Sequence, residues 1–258
     1  MIKEIFAIFD NNDLHYAVNL AVVLGVFSRI FLFPLCRERK NMKSKTSIDL
    51  RKAASIAMLS AFAFLARLVF KIPVSFLTFD IKDTIIALGG LVFGPVSGVV
   101  IALLVSLIEM IISETGPIGF AMNFISSAVF AGYAALFYRY KRTFNGAIIG
   151  LFSSVGVTTA VMLIMNVLLT PIYQGVPRSV VIGMLPTLFL PFNFAKTLLN
   201  ASIVLLIYKP VVTALRKAKI IEGKAMDTKF GKQSVITIAI SLASLIAAII
   251  IFVILNNK

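Results

Sequence analysis

Seven apolar runs long enough to cross a bilayer recur along this chain, at residues 14–35, 53–70, 96–112, 120–138, 147–170, 188–208 and 234–255. A hydrocarbon core of about 30 Å is crossed by about 20 helical residues. In lipid every backbone N–H and C=O must be paired within the protein, so runs of this length can only be helices. With 59% of its residues hydrophobic, the chain reads as an all-α integral membrane protein. An eighth, shorter run, residues 84–93, is joined to the next by "FGPVSG".

The net charge of +14 does not call for nucleic acid, because its placement has another cause. Of 25 basic residues, 17 fall in three stretches: Arg37 to Lys52, Arg139 to Arg142, and Lys209 to Lys232. Clustering of this kind marks cytoplasmic loops and contact with anionic membrane lipid. Lys3, Lys71, Lys82, Arg178 and Lys258 are scattered singly over the other side. The three basic stretches share one side only if Gly94-Pro95 turns the chain round, which gives eight helices with both termini outside.

The opening "MIKEIFAIFDNND" has no basic n-region and no cleavage pattern, so the first run is expected to remain as a helix. Basic polar stretches separate both terminal helices from the middle six. The expected organisation is an extra helix and basic loop over 1–46, a six-helix core over 47–217, and a basic linker with a second extra helix over 218–258. No internal repeat supports an inverted-repeat transporter.

Within the run 188–208, Asn193, Lys196 and Asn200 occupy one helical stripe, and that stripe must face something other than lipid. At about 1.5 Å per residue, Lys196 lies roughly 20 Å above Lys209, Asn123 about 24 Å above Arg139 and Glu109 about 21 Å above Pro95. Asn166 falls near the outer end of its helix. The polar stretches 71–83 and 171–186 are expected as outer loops above these residues, with Asp83 and Glu114 solvated. Four helices thus bring polar groups to a common depth, describing a pocket that opens outward. A lysine at a helix centre costs about 2.5–3.5 kcal/mol on insertion scales, so something must offset it. Snorkelling to the headgroups competes with a ligand role for Lys196. A buried Glu109 needs a partner such as Lys196 or a ligand hydroxyl.

Other machinery is missing. No G-x-x-x-x-G-K-[ST] phosphate loop occurs, so this chain is not an ATPase. One histidine, His15, and one cysteine, Cys36, exclude a disulfide framework and leave metal sites or catalytic triads little to work with. Neither H-E-x-x-H nor G-x-S-x-G is present. The pocket is expected to bind without catalysing and to need no cofactor. Ala53, Ala57 and Ala61 repeat every four residues in "KAASIAMLSAFAFLAR", a small-residue face on which a partner helix can approach closely.

The stretches "FLTFDIKDTIIALGGLVFGPVSGVVIALLVSLIEMI", "TGPIGFAMNFISSAVFAGYAALFYRYKR" and "LPFNFAKTLLNASIVLLIYKPV" resemble the substrate-capturing S components of energy-coupling factor (ECF) vitamin transporters, most closely the riboflavin-specific ones. The resemblance covers roughly residues 47–217, and neither terminal helix belongs to that six-helix pattern. It implies a multi-pass protein of the bacterial cell membrane that takes riboflavin from outside. It further implies docking on a transmembrane coupling subunit with two ATP-binding subunits. By this resemblance Asn166, Asn193 and Lys196 lie beside the flavin ring. Leu77, Thr78, Phe79 and Asp80 belong to the closing loop, and Ala53 and Ala57 to the docking face.

The chemistry of the residues is compatible with such a ligand. A flavin's pyrimidine edge alternates carbonyl acceptors with an N–H donor, and a primary amide offers both kinds of partner in one plane. Phe79, Phe124 or Phe192 could wall the ring, while Asp80 and Glu109 suit ribityl hydroxyls. Another vitamin or a flavin nucleotide is the alternative cargo, and Lys71, Lys82 or Arg178 are the cations available for a phosphate. A membrane enzyme using Glu109 with Lys196, or a carrier acting alone, would be a different class of protein.

Overall fold

The computed structural model describes residues 50–112, 116–141, 143–217 and 232–256. The apolar run 14–35, Glu114 and the linker 218–231 lie outside the described residues. Helix α1 (Leu50–Val69) leads into a two-stranded antiparallel hairpin, β1 (Ile72–Val74) and β2 (Leu77–Phe79). Then follow α2 (Lys82–Phe93), α3 (Pro95–Ile112), α4 (Gly116–Tyr140), α5 (Phe144–Gln174), the short α6 (Arg178–Met184), α7 (Leu190–Lys217) and α8 (Lys232–Asn256). Six of the helical segments are long and apolar enough to span a membrane, with α6 and α7 counted as one. Alone, α2 has only 12 residues, about 18 Å of helix.

Gly94 and Pro95 do turn the chain. Gly94 has φ 100°, a conformation that costs glycine little, and its N–H closes α2 on the Gly90 carbonyl. Pro95 is the first residue of α3, where its missing N–H is no loss. The two helices then pack back to back, so closely that a Cβ on Gly98 would lie 2.9 Å from the Gly90 Cα.

Two expected loops are different. The stretch 71–83 is largely ordered structure, because Ile72, Pro73 and Val74 pair with Phe79, Thr78 and Leu77 across a Ser75-Phe76 turn. Ser75 takes φ 54° in that turn. The stretch 171–186 is mostly helical: α5 carries Pro171 and continues to Gln174, where Gly175 (φ 64°) ends it, and α6 starts three residues later. Pro186 did not break the chain as its residue type suggests. It sits at the start of a π-helical turn, Leu185–Phe189, a first-turn position where a missing N–H costs little.

The core is built from small and branched residues that let helices approach, including Ala87, Ile101, Ala102, Ala131, Ala134, Leu151, Ala201 and Val204. The outward faces are apolar: Leu103, Leu107 and Ile111 on α3, and Ile246, Ile250 and Val253 on α8, are exposed. That inversion of the soluble pattern is what lipid requires. α8 packs along α7, joined by a 2.6 Å hydroxyl pair between Ser202 and Ser244, and buries Ala248. It leaves Ala57 and Ala61 of α1 exposed and Ala53 half-buried, so this extra helix does not cover the alanine face.

Candidate substrate-binding pocket

The polar stripe of α7 faces the segment that links the hairpin to α2. Lys196 Nζ donates to Asp80 Oδ2 at 2.9 Å and to the Thr78 carbonyl at 3.4 Å. One turn further, Asn200 accepts from the Thr84 amide at 2.9 Å and its hydroxyl at 2.7 Å, and donates to the Asp80 carbonyl at 3.0 Å. Asn200 therefore clasps the start of α2, while Lys196 holds the end of the hairpin. Lys196 is buried and bonded rather than snorkelling.

Beside this seam lies a cavity of about 530 Å³, within the usual range for small-molecule sites. Of the residues singled out from sequence, Leu77, Thr78, Asp80, Asn123, Asn166, Asn193 and Lys196 line it. The amides are half committed. Asn193 Nδ2 donates to the Phe189 carbonyl at 2.8 Å. Asn166 Nδ2 donates to the Met162 carbonyl at 2.7 Å, and its Oδ1 accepts from Thr170. An amide has more hydrogen-bonding capacity than these contacts use. Asp80 Oδ1 is buried and accepts no hydrogen bond from the described residues.

Glu109 and Phe79 do not line the cavity. The Glu109 carboxylate, fully buried, accepts from Lys82 Nζ at 2.8 and 2.6 Å and lies 3.0 Å from Arg67 Nε. Its partner is therefore Lys82 with Arg67, not Lys196. Lys82, expected to be exposed at the outer surface, is 1% exposed, because the Asn200 clasp draws the start of α2 into the bundle. Asp83, expected to be solvated, is buried by the same insertion and accepts from the Ser127 hydroxyl. Phe79 packs edge-on against Phe192 and Phe252, with centroids 4.7 and 5.1 Å away. Of the three candidate ring walls only Phe192 reaches the cavity, since Phe124 stacks on Phe120 outside its lining.

Arg67, Phe76 and Tyr173, which carried no expectation from sequence, line the cavity, and so does Lys71, named above as a cation for a phosphate. Phe76, at the hairpin turn, meets Tyr173 and Phe189 edge-on at 6.3 and 5.8 Å and pins the tip of the roof. Around the seam three basic side chains, Arg67, Lys82 and Lys196, face three carboxyl groups, Asp80, Asp83 and Glu109. That balance is what makes so much buried charge tolerable. Burial pushes the Asp80 carboxyl upward, but Lys196, helped by Lys82 and Arg67, outweighs it and holds the group below its ordinary value.

Residues 51–212 match the family described as the substrate-specific component of ECF transporters. The chain belongs to that family. It is 29% identical over 191 residues to the riboflavin transporter RibU of Staphylococcus aureus, which takes in 70% of this chain and 98% of that protein. The riboflavin transporter FmnP of Bacillus subtilis is 27% identical over 194 residues, 67% of this chain and all of that one. A solved S component of a bacterial ECF transporter superposes with a TM-score of 0.56 at 31% identity, covering 64% of this chain and 97% of that chain. This S component is thus a multi-pass membrane protein of a transport system, and its family match ends well before α8 begins.

Proposed function

We propose that this S component captures riboflavin in the cavity beneath the hairpin and delivers it inward when docked on its transport partners. One observation carries the reading. Asn166, Asn193, Lys196 and the unsatisfied Asp80 Oδ1 converge on one cavity with an aromatic wall at Phe192 and a roof at Phe76. The amides and the ammonium suit the alternating acceptors and donor of the flavin edge, and the free carboxylate oxygen suits a ribityl hydroxyl. Riboflavin is cargo here, not a cofactor, and the chain performs no chemistry on it.

The names of the two curated relatives support the same cargo. The partners on this reading are a transmembrane coupling subunit, which meets the exposed alanines 57 and 61 with Ala53, and two ATP-binding subunits that supply the energy. A phosphorylated flavin is the second reading, favoured by Lys71 and Arg67 on the cavity lining.

The test is a visible spectrum of the purified protein followed by titration with riboflavin while flavin fluorescence is read. Saturable quenching that weakens in Asn193→Ala and Lys196→Ala is expected. Fluorescence that stays unchanged at every concentration would reject riboflavin, and competition by the phosphorylated flavin ranks the two cargoes.

A further inference from the structure

The C-terminal helix touches the roof of the pocket. α8 starts at Lys232, beyond residue 212 where the family match ends, and its last turns bring Ile251, Phe252 and Leu255 onto Val74, Phe79, Phe192 and Ala195. Phe252 meets Phe79 edge-on at 5.1 Å and 79°, while the Phe79 ring meets Phe192 of α7 at 4.7 Å and 75°. Three rings in series therefore run from α8 through the hairpin to α7. Phe79 closes β2, opposite Ile72, and the next residue is Asp80, the partner of Lys196 at the cavity. α8 is itself fixed to α7, through the Ser202–Ser244 pair and the buried Ala248, so the outer ring of the series is held by a braced helix.

We propose that Phe252 is a positioning residue for cargo retention: by closing the socket of Phe79 it holds the base of the hairpin shut and slows escape of the ligand. The physical basis is local. Leu77, Thr78 and Asp80 line the cavity, so a ligand leaving past the roof must displace β2. Displacing β2 pulls Phe79 from between two rings instead of from one. Lipid chains can fill the place of Phe252, but they pack less specifically than an aromatic edge, so the effect is a change in rate rather than loss of the site. α8 thereby adds to an S component a hold on the roof from outside the family-matched core.

The inference rests on the riboflavin reading for its ligand but not for its mechanics, and the test separates the two. The full-length protein in lipid nanodiscs is compared with Phe252→Ala, Phe252→Tyr and the lipid-facing control Val253→Ala. Hydrogen exchange of the hairpin amides is followed without flavin, and riboflavin association and dissociation are followed by flavin fluorescence. Phe252→Ala is expected to speed hairpin exchange and riboflavin dissociation about five- to tenfold, the scale of one lost aromatic pair, with association changed less than twofold. Phe252→Tyr should restore both rates, and Val253→Ala should alter neither.

Unchanged hairpin exchange in Phe252→Ala overturns the proposal, and so does acceleration spread equally over α3 and α4, which marks a general loss of stability. If the wild-type protein leaves flavin fluorescence unchanged while the hairpin alone accelerates in Phe252→Ala, the riboflavin reading falls and the hold of Phe252 on the hairpin stands; faster hairpin exchange with unchanged riboflavin dissociation overturns the retention role.

Discussion

Two buried charge clusters lie side by side in this bundle, and they are finished differently. Around Glu109 both carboxylate oxygens are taken by Lys82, Arg67 lies against one of them, and the carboxylate does not reach the cavity. Around Asp80 only Oδ2 is taken, by Lys196, while Oδ1 has no partner among the described residues and both side chains line the cavity. A carboxylate with both oxygens taken serves architecture, whereas one with an unpaired oxygen on a cavity has capacity for a ligand. The difference warns against reading every intramembrane charge as part of a substrate site.

The comparison breaks most sharply at Glu109. Glu109→Ala strands Lys82 and Arg67 without their anion, and removing one partner of a buried pair costs about 3–5 kcal/mol. A large fall in the melting temperature of the detergent-solubilised protein is expected, and a melting temperature unchanged from wild type would remove the cluster's structural role. Lys196→Ala is expected to weaken riboflavin binding by about 1.5–3 kcal/mol, the scale of a hydrogen bond to a charged group, read by fluorescence titration. Asn193→Ala loses a neutral partner and should cost about 0.5–1.5 kcal/mol of the same affinity. An equal loss in the two variants would mean that the charge of Lys196 is not what the ligand meets.

The smallest effect is that of pH. Asp80 sits below its ordinary value, so its contribution to stability is complete above the unfolded carboxylate pKa of about 3.9 and is lost only as pH falls through the lowered folded value. Riboflavin affinity should therefore stay level between pH 8 and 5. A decline near pH 6 would point to a different titrating group.

Much of the candidate site was legible because lipid makes polar residues conspicuous. Asn123, Asn166, Asn193 and Lys196 stood out in apolar runs, and counting 1.5 Å per residue placed them at one depth. The same count puts Arg67 roughly 22 Å above Lys52, level with them, so the signal for this overlooked cation was present. Phe76 and Tyr173 had no such signal, since one phenylalanine among 22 carries no label of its own. The Gly94-Pro95 turn was legible from charge bookkeeping alone. The hairpin was hidden because its strands have only three residues each and its proline suggests a loop.

The sequence alone was enough to establish a helical membrane protein, a reversal of the chain at Gly94-Pro95, and a set of polar groups that share a depth. Those properties follow from hydropathy, charge placement and helical rise, all of them local quantities. That Lys82 and Asp83 lie inside, that Glu109 faces Lys82 and Arg67, and that Phe252 closes on Phe79 emerges only from the assembled bundle. Each of these rests on residues far apart in the chain. The Asn200 clasp alone spans 116 positions to Thr84, and no local pattern carries information about a partner that distant.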